Sequence, residues 1–133
     1  MRTASEVKVG DTYALSKEND KYRSIRYAGA SGDFNPIHLD DQWAQMMGLP
    51  GRILHGLCNM AWMAQCHTDF AGAPGALKKL TVRFSKPVKV EDTIRYEAKV
   101  VAIEGNRVRV SCSAKNQDGE DVLTKGEAEL ELS

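Results

Sequence analysis

The sequence predicts an α+β domain in which one long buried helix is wrapped by a curved antiparallel sheet. The segment from His55 or Gly56 to about Phe70 is apolar on nearly every side, as expected of a helix inside a core. Segments that alternate apolar and polar residues follow it, and this period is typical of strands with one buried face. The 133 residues contain no repeat or linker, so a single domain over 1–133 is predicted.

Shorter elements are predicted before the long helix. They are a strand within 7–15, a helix over 20–30 and a helix over 41–47. Asn19 or Asp20 is the expected N-cap of the first helix, and Asp40 or Asp41 that of the second. Gly48 is expected to close the second helix.

Four strands are predicted after the long helix. They cover 80–84, 94–100, 108–114 and 126–132. Residues 104–107 and 116–119 have the composition of hairpin turns, and Pro87 is expected to interrupt its strand. Because such a sheet has open edges, pairing with a second copy of the chain is expected, and a dimer is predicted.

Charge and hydropathy exclude several classes of protein. The 18 basic and 18 acidic residues cancel, so no long-range field attracts nucleic acid or an anionic membrane. The N-terminus has no signal-peptide pattern, and the longest apolar stretch, 56–64, is too short to span a bilayer. Three cysteines at no disulfide-framework spacing fit a reducing compartment. A cytoplasmic location is therefore expected.

The segment Ser31-Gly-Asp-Phe-Asn-Pro-Ile-His38 contains the residues best suited to proton transfer. Gly32, Asn35 and Pro36 break any helix here, and a loop tightened in this way can aim Asp33 and His38 at one point. Histidine is well matched to proton transfer near neutral pH, and a nearby carboxylate can act on the same water. From the residues alone, a loop in which Asp33 caps a turn and His38 is an ordinary polar residue is the favoured interpretation.

The same run resembles the signature of the MaoC-like, or (R)-specific enoyl-CoA hydratase, family. Ile53-Leu-His-Gly-Leu57 is similar to the apolar-His-Gly-apolar run that opens the central helix of that family. The segments 7–11 and 82–84 are also similar to it, so the resemblance covers essentially the whole chain. It implies a hot-dog fold that works as a dimer and acts on acyl thioesters.

The resemblance also implies a mechanism. His38 would take a proton from a water that attacks C3 of a trans-2-enoyl thioester, and Asp33 would hold that water and supply the proton to C2. The product would be a (3R)-hydroxyacyl thioester, and the reverse reaction would be a dehydration. Gly56 matches the glycine whose backbone N–H binds the developing oxyanion, and the resemblance allows this N–H to come from the partner in a dimer.

Three further residues are predicted to contact substrate. Asn35 is expected mainly to fix the loop. His55 is left open between capping the helix, contacting substrate and packing. Trp62 is expected to narrow the acyl tunnel. Asn59 is a departure from the family, which often has a small hydroxyl residue early in this helix, and His67 is expected to have no partner and no role.

No metal and no cofactor are predicted beyond the carrier of the acyl group, coenzyme A or acyl carrier protein. Cys58, Cys66, His55 and His67 contain no C-x-x-C pair, and cysteine in a buried helix is usually a small apolar residue. A cluster of basic residues is either a phosphate-contacting rim or a solvated strand face: Lys78, Lys79, Arg83 and Lys86. The alternatives in function are a thioesterase on the same fold and one subunit of a heterodimeric dehydratase.

Overall fold

A computed structural model describes residues 1–133. In chain order its helices and strands are β1 (Thr12–Glu18), α1 (Arg23–Ser31), α2 (Asp41–Met46), α3 (Gly56–Ala71), β2 (Leu77–Phe84), β3 (Thr93–Glu104), β4 (Arg107–Lys115) and β5 (Asp121–Glu131). Single 3₁₀ turns lie at Ala4–Glu6, Pro36–His38 and Pro74–Ala76. The predicted order of one long helix followed by strands is confirmed.

The strands form one antiparallel sheet in the order β1-β3-β4-β5-β2. Its register shifts between Val100 and Ala102 and again between Cys112 and Ala114, and irregularities of this kind bend a sheet. The inward residues are buried in alternation along β3 as far as Val100 and along β4. They form one apolar core with the buried face of α3, as predicted for a sheet wrapped around a helix.

The boundaries of the early elements differ from the prediction. The first strand is β1, which begins five residues later than the predicted start at 7. Asp20 does not cap α1; its carboxylate accepts a hydrogen bond from the Tyr22 N–H at 2.8 Å, and this local turn delays the helix to Arg23. Asp40 caps α2 as predicted, because its carboxylate accepts from the Trp43 N–H at 3.1 Å.

Helix α3 is less uniformly apolar than its sequence suggests. Leu57 is 68% exposed, whereas Asn59 and His67 are buried. The expectation that His67 has no partner is wrong, since the Tyr13 hydroxyl lies 2.6 Å from its Nδ1. Burial lowers the pKa of His67 to about 4.

Neither α3 nor any other helix combines the length and hydrophobicity needed to cross a membrane.

Candidate active site

The loop after α1 fixes one oxygen of Asp33. Helix α1 ends at Gly32, whose φ of 79° is the left-handed conformation that glycine adopts without steric cost. The Asp33 N–H then donates to Ser31 Oγ at 3.1 Å, and Asp33 Oδ1 accepts from the Asn35 N–H at 3.2 Å. The other carboxylate oxygen, Oδ2, therefore remains free for a further partner.

His38 ends the 3₁₀ turn that follows. Asn35 caps this turn by accepting from the Ile37 N–H at 3.2 Å. His38 Nδ1 lies 2.9 Å from the Ile53 carbonyl oxygen, which can only accept a hydrogen bond. Nδ1 is thus the protonated nitrogen of the neutral ring, and Nε2 carries the lone pair that a general base needs.

The free atoms of the two side chains face each other. His38 Nε2 and Asp33 Oδ2 are 4.0 Å apart, which is too long for a direct hydrogen bond but lets one water bond to both at about 2.8 Å. Burial lowers the pKa of His38 from its ordinary 6.5, aided by the nearby His55 ring and opposed by the Ile53 carbonyl and Asp33. His38 is therefore a neutral proton acceptor at physiological pH.

His55 supports both members of this pair. Its ring stacks on the His38 ring with 3.9 Å between centroids, and the Tyr27 ring packs at 4.6 Å from it. His55 Nε2 lies 2.9 Å from the Asp33 carbonyl oxygen, so this nitrogen carries the proton and donates. His55 caps no N–H of α3 with its side chain. Of the roles left open by the sequence, packing against the candidate pair is the one the geometry shows.

A cavity of about 280 Å³ connects His38 of this pair to the start of α3. Its lining includes His38, Gly56, Asn59 and Phe84. The Gly56 N–H has no acceptor in the chain and lies at the positive end of the α3 dipole, where developing negative charge is stabilised. His38 and Gly56 therefore line the same cavity within one chain, and the supply of this N–H by a partner chain stays a prediction.

The structure places the other two predicted substrate contacts differently. Asn35 is exposed and holds the loop. Trp62 is buried with Tyr96 edge-on at 6.4 Å and the Arg23 guanidinium 5.2 Å above its ring, and it is absent from the lining of the cavity beside His38. Substrate contact by Asn35 or Trp62 stays a prediction.

Asp33, His38 and His55 also form the group best placed to hold a cation, because one ligand atom from each lies within 4.8 Å of the others. The cysteines considered from the sequence are not part of it. Cys58 and Cys66 are buried, and burial raises the pKa of both thiols, which disfavours the thiolate that binds metals. The prediction that the protein works without a metal stays a prediction.

Residues 3–122 match the model of the MaoC like domain, and the chain belongs to this family. Its fold is similar to that of R-hydratase PhaJ1 from Pseudomonas aeruginosa, with a TM-score of 0.89 and 31% identity over 98% of this chain and 84% of that one. The (R)-hydratase of A. caviae involved in PHA biosynthesis gives 0.88 and 26% over 98% and 100%. These similarities confirm the hot-dog fold.

Curated relatives differ greatly in length. A 3-hydroxybutyryl-CoA dehydratase of Methylorubrum extorquens is 30% identical over 126 residues, which is 92% of this chain and 79% of that protein. This chain spans only 6% of the fatty acid synthase beta subunit pkiC of Emericella nidulans. It spans 40% of a probable enoyl-CoA hydratase 2 of Dictyostelium discoideum. The same domain therefore occurs alone and inside larger enzymes.

Proposed function

We propose that the protein is a hydro-lyase that reversibly hydrates trans-2-enoyl thioesters to (3R)-hydroxyacyl thioesters. The observation that carries this proposal is the 4.0 Å separation of His38 Nε2 and Asp33 Oδ2, beside a cavity that also contains the Gly56 N–H. The site thus offers a base, a second proton-handling group and an oxyanion donor. The hydratases and dehydratases named among its relatives support the same reaction class.

In the hydration direction, His38 Nε2 takes a proton from the water as its oxygen forms a bond to C3. The C2=C3 electrons move toward the thioester oxygen, and the Gly56 N–H stabilises the resulting enolate. Asp33, which holds the same water, receives that proton from His38 and delivers it to C2, so both side chains end the turnover in their starting protonation states. The elements of water are thereby added to one face of the double bond, and the reverse sequence is a dehydration.

The carrier of the acyl group is coenzyme A or acyl carrier protein. Lys86 lies at the cavity and pairs there with Glu120, and Arg83 is exposed on the adjoining edge strand β2. These two residues, with the exposed Lys78 and Lys79, are our candidates for contact with a carrier phosphate, and a solvated strand face explains all four equally well. The unpaired edges of β1 and β2 favour a homodimer, and the cytoplasmic location stays a prediction.

The decisive assay follows the loss of enoyl-thioester absorbance after addition of crotonyl-CoA or longer analogues. Asp33→Asn and His38→Ala are each expected to lower kcat about 10²- to 10⁴-fold, the usual contribution of a general acid or base. Asp118→Asn is the matched control, because it removes the same charge from an exposed turn. Near wild-type rates for both site variants contradict the mechanism.

Two further measurements separate the alternatives. A thioesterase would release free thiol from a saturated acyl-CoA, which a thiol reagent detects, and a hydro-lyase would not. Native mass measurement of the chain expressed alone is expected to show a dimer. A chain that fails to fold or assemble by itself would indicate a subunit that needs a different partner.

A further inference from the structure

We propose that Asn59 is a specificity-determining residue that selects acyl thioesters bearing an oxygen atom a few carbons beyond the double bond. The inference rests on the proposed function and adds a substrate class to it. Asn59 is 3% exposed, stands three residues after Gly56 in α3 and lines the cavity that His38 lines. A polar side chain so deeply buried in a substrate cavity needs hydrogen-bonding partners.

Tyr96 fixes the orientation of the Asn59 amide. The Tyr96 hydroxyl donates to Asn59 Oδ1 at 2.5 Å. Tyr96 lies on β3 with no exposed surface, and burial raises the pKa of its hydroxyl, which therefore keeps its proton. The hydroxyl has no second acceptor in the chain, so the flipped amide would leave that proton without a partner. Oδ1 therefore faces Tyr96, and Nδ2 faces away from it.

The Nδ2 group of Asn59 faces the cavity. It donates to no acceptor in the chain. Nδ2 is also not among the unpartnered side-chain atoms that are sealed from solvent, so it keeps some accessible surface. The small exposed fraction of Asn59 thus includes an amide donor, in a cavity whose other walls include Leu54, Val88 and Phe84. A substrate that fills this space must either accept a hydrogen bond from Nδ2 or leave it unsatisfied.

The position of the donor sets where the substrate oxygen lies. Gly56 supplies the N–H for the thioester oxygen, and Asn59 stands about 4.5 Å further along the helix axis. With the thioester oxygen at Gly56 and the acyl chain running along α3 through the cavity, as we propose, that spacing puts Nδ2 beside the part of the chain that follows C3. A hydroxyl or keto oxygen at C4 to C6 can accept from it, whereas an alkyl chain displaces water and leaves the donor unpaired. Sites built to bind a substrate hydroxyl discriminate strongly against the analogue that lacks it.

The test compares trans-2-hexenoyl-CoA with hexenoyl-CoA thioesters that carry one hydroxyl at C4, C5 or C6. For wild type, kcat/KM of the best hydroxylated substrate is expected to exceed that of hexenoyl-CoA by about tenfold or more. The variant Asn59→Leu with Tyr96→Phe removes the amide and the hydroxyl together, so neither partner is left unsatisfied. It is expected to abolish or reverse this preference and to raise kcat/KM for hexenoyl-CoA.

A preference for hexenoyl-CoA in wild type, or the same substrate ratio in both proteins, overturns the proposal. Thermal unfolding of the double variant verifies that it folds. Calorimetric binding of saturated hexanoyl-CoA and its hydroxylated counterparts tests selectivity without turnover, and equal Kd values for wild type also overturn it. Failure of the proposed function gives a different result, namely no hydration of any of these thioesters.

Discussion

Mild acid is expected to destabilise this fold through His67. The ring has no exposed surface, and burial lowers its pKa from 6.5 to about 4. Between these two values the unfolded chain binds a proton that the folded chain does not, so the free energy of unfolding falls as the pH is lowered. The slope is about 1.4 kcal/mol per pH unit, which gives a loss of about 2 kcal/mol by pH 5. Well above pH 6.5 neither state is protonated and His67 contributes no pH dependence.

The assay is urea unfolding at pH 7 and pH 5, at one protein concentration so that assembly does not shift the midpoint. The control is the double variant His67→Leu with Tyr13→Phe, because the Tyr13 hydroxyl is the partner of the ring and would otherwise be left unsatisfied. All other titrating groups are common to both proteins. Wild type is expected to lose about 2 kcal/mol more than the variant between the two pH values. Equal losses refute the assignment of this acid sensitivity to His67.

Two predictions concern the candidate active site. Because the pKa of His38 is lowered from 6.5 and the neutral ring is the base, the acidic limb of kcat/KM for hydration should have its midpoint below pH 6.5. A midpoint above 6.5 in a pH–rate profile contradicts this. Because Asp33, His38 and His55 bring their ligand atoms within 4.8 Å of one another, added Zn²⁺ should inhibit hydration and EDTA should restore it. EDTA alone should leave the rate unchanged, and loss of activity in EDTA would show that a metal is required.

The later strands could be predicted because their pattern is local. In β4 the predicted inward residues, Val108, Val110, Cys112 and Ala114, are the buried ones, since alternation is a property of consecutive residues. Phe84 departs from the pattern in β2. It is 51% exposed. Its ring packs against Gly56, where an added Cβ would lie 3.4 Å from it, so a contact with α3 decides its position. The predicted start of α1 was also wrong, because a local turn at Asp20 competes with the first turn of the helix.

The pairings that support the site could not be predicted, because they are remote in sequence. His55 reaches the backbone of Asp33 across 22 residues, Asn59 is 37 residues from Tyr96, and His67 is 54 from Tyr13. Sequence spacing does not reveal such partners. One signal was nevertheless present. A buried polar group needs a hydrogen-bonding partner, so Asn59 and His67 in an otherwise apolar helix indicated that polar partners lay opposite them.

The contacts around Asp33 and His38 give these two candidate catalytic residues different environments. His38 has only a tenth of its side chain exposed, against 53% for Asp33, so burial acts mainly on the histidine and keeps it neutral. The Ile53 carbonyl occupies Nδ1 of His38, and the Asn35 N–H occupies Oδ1 of Asp33. Each residue therefore has one committed atom and one free atom, and the two free atoms are those that face each other at 4.0 Å. With the ring of His55 stacked against His38, this arrangement is organised before substrate arrives, and such preorganisation lets a modest pair of side chains act together on a single water.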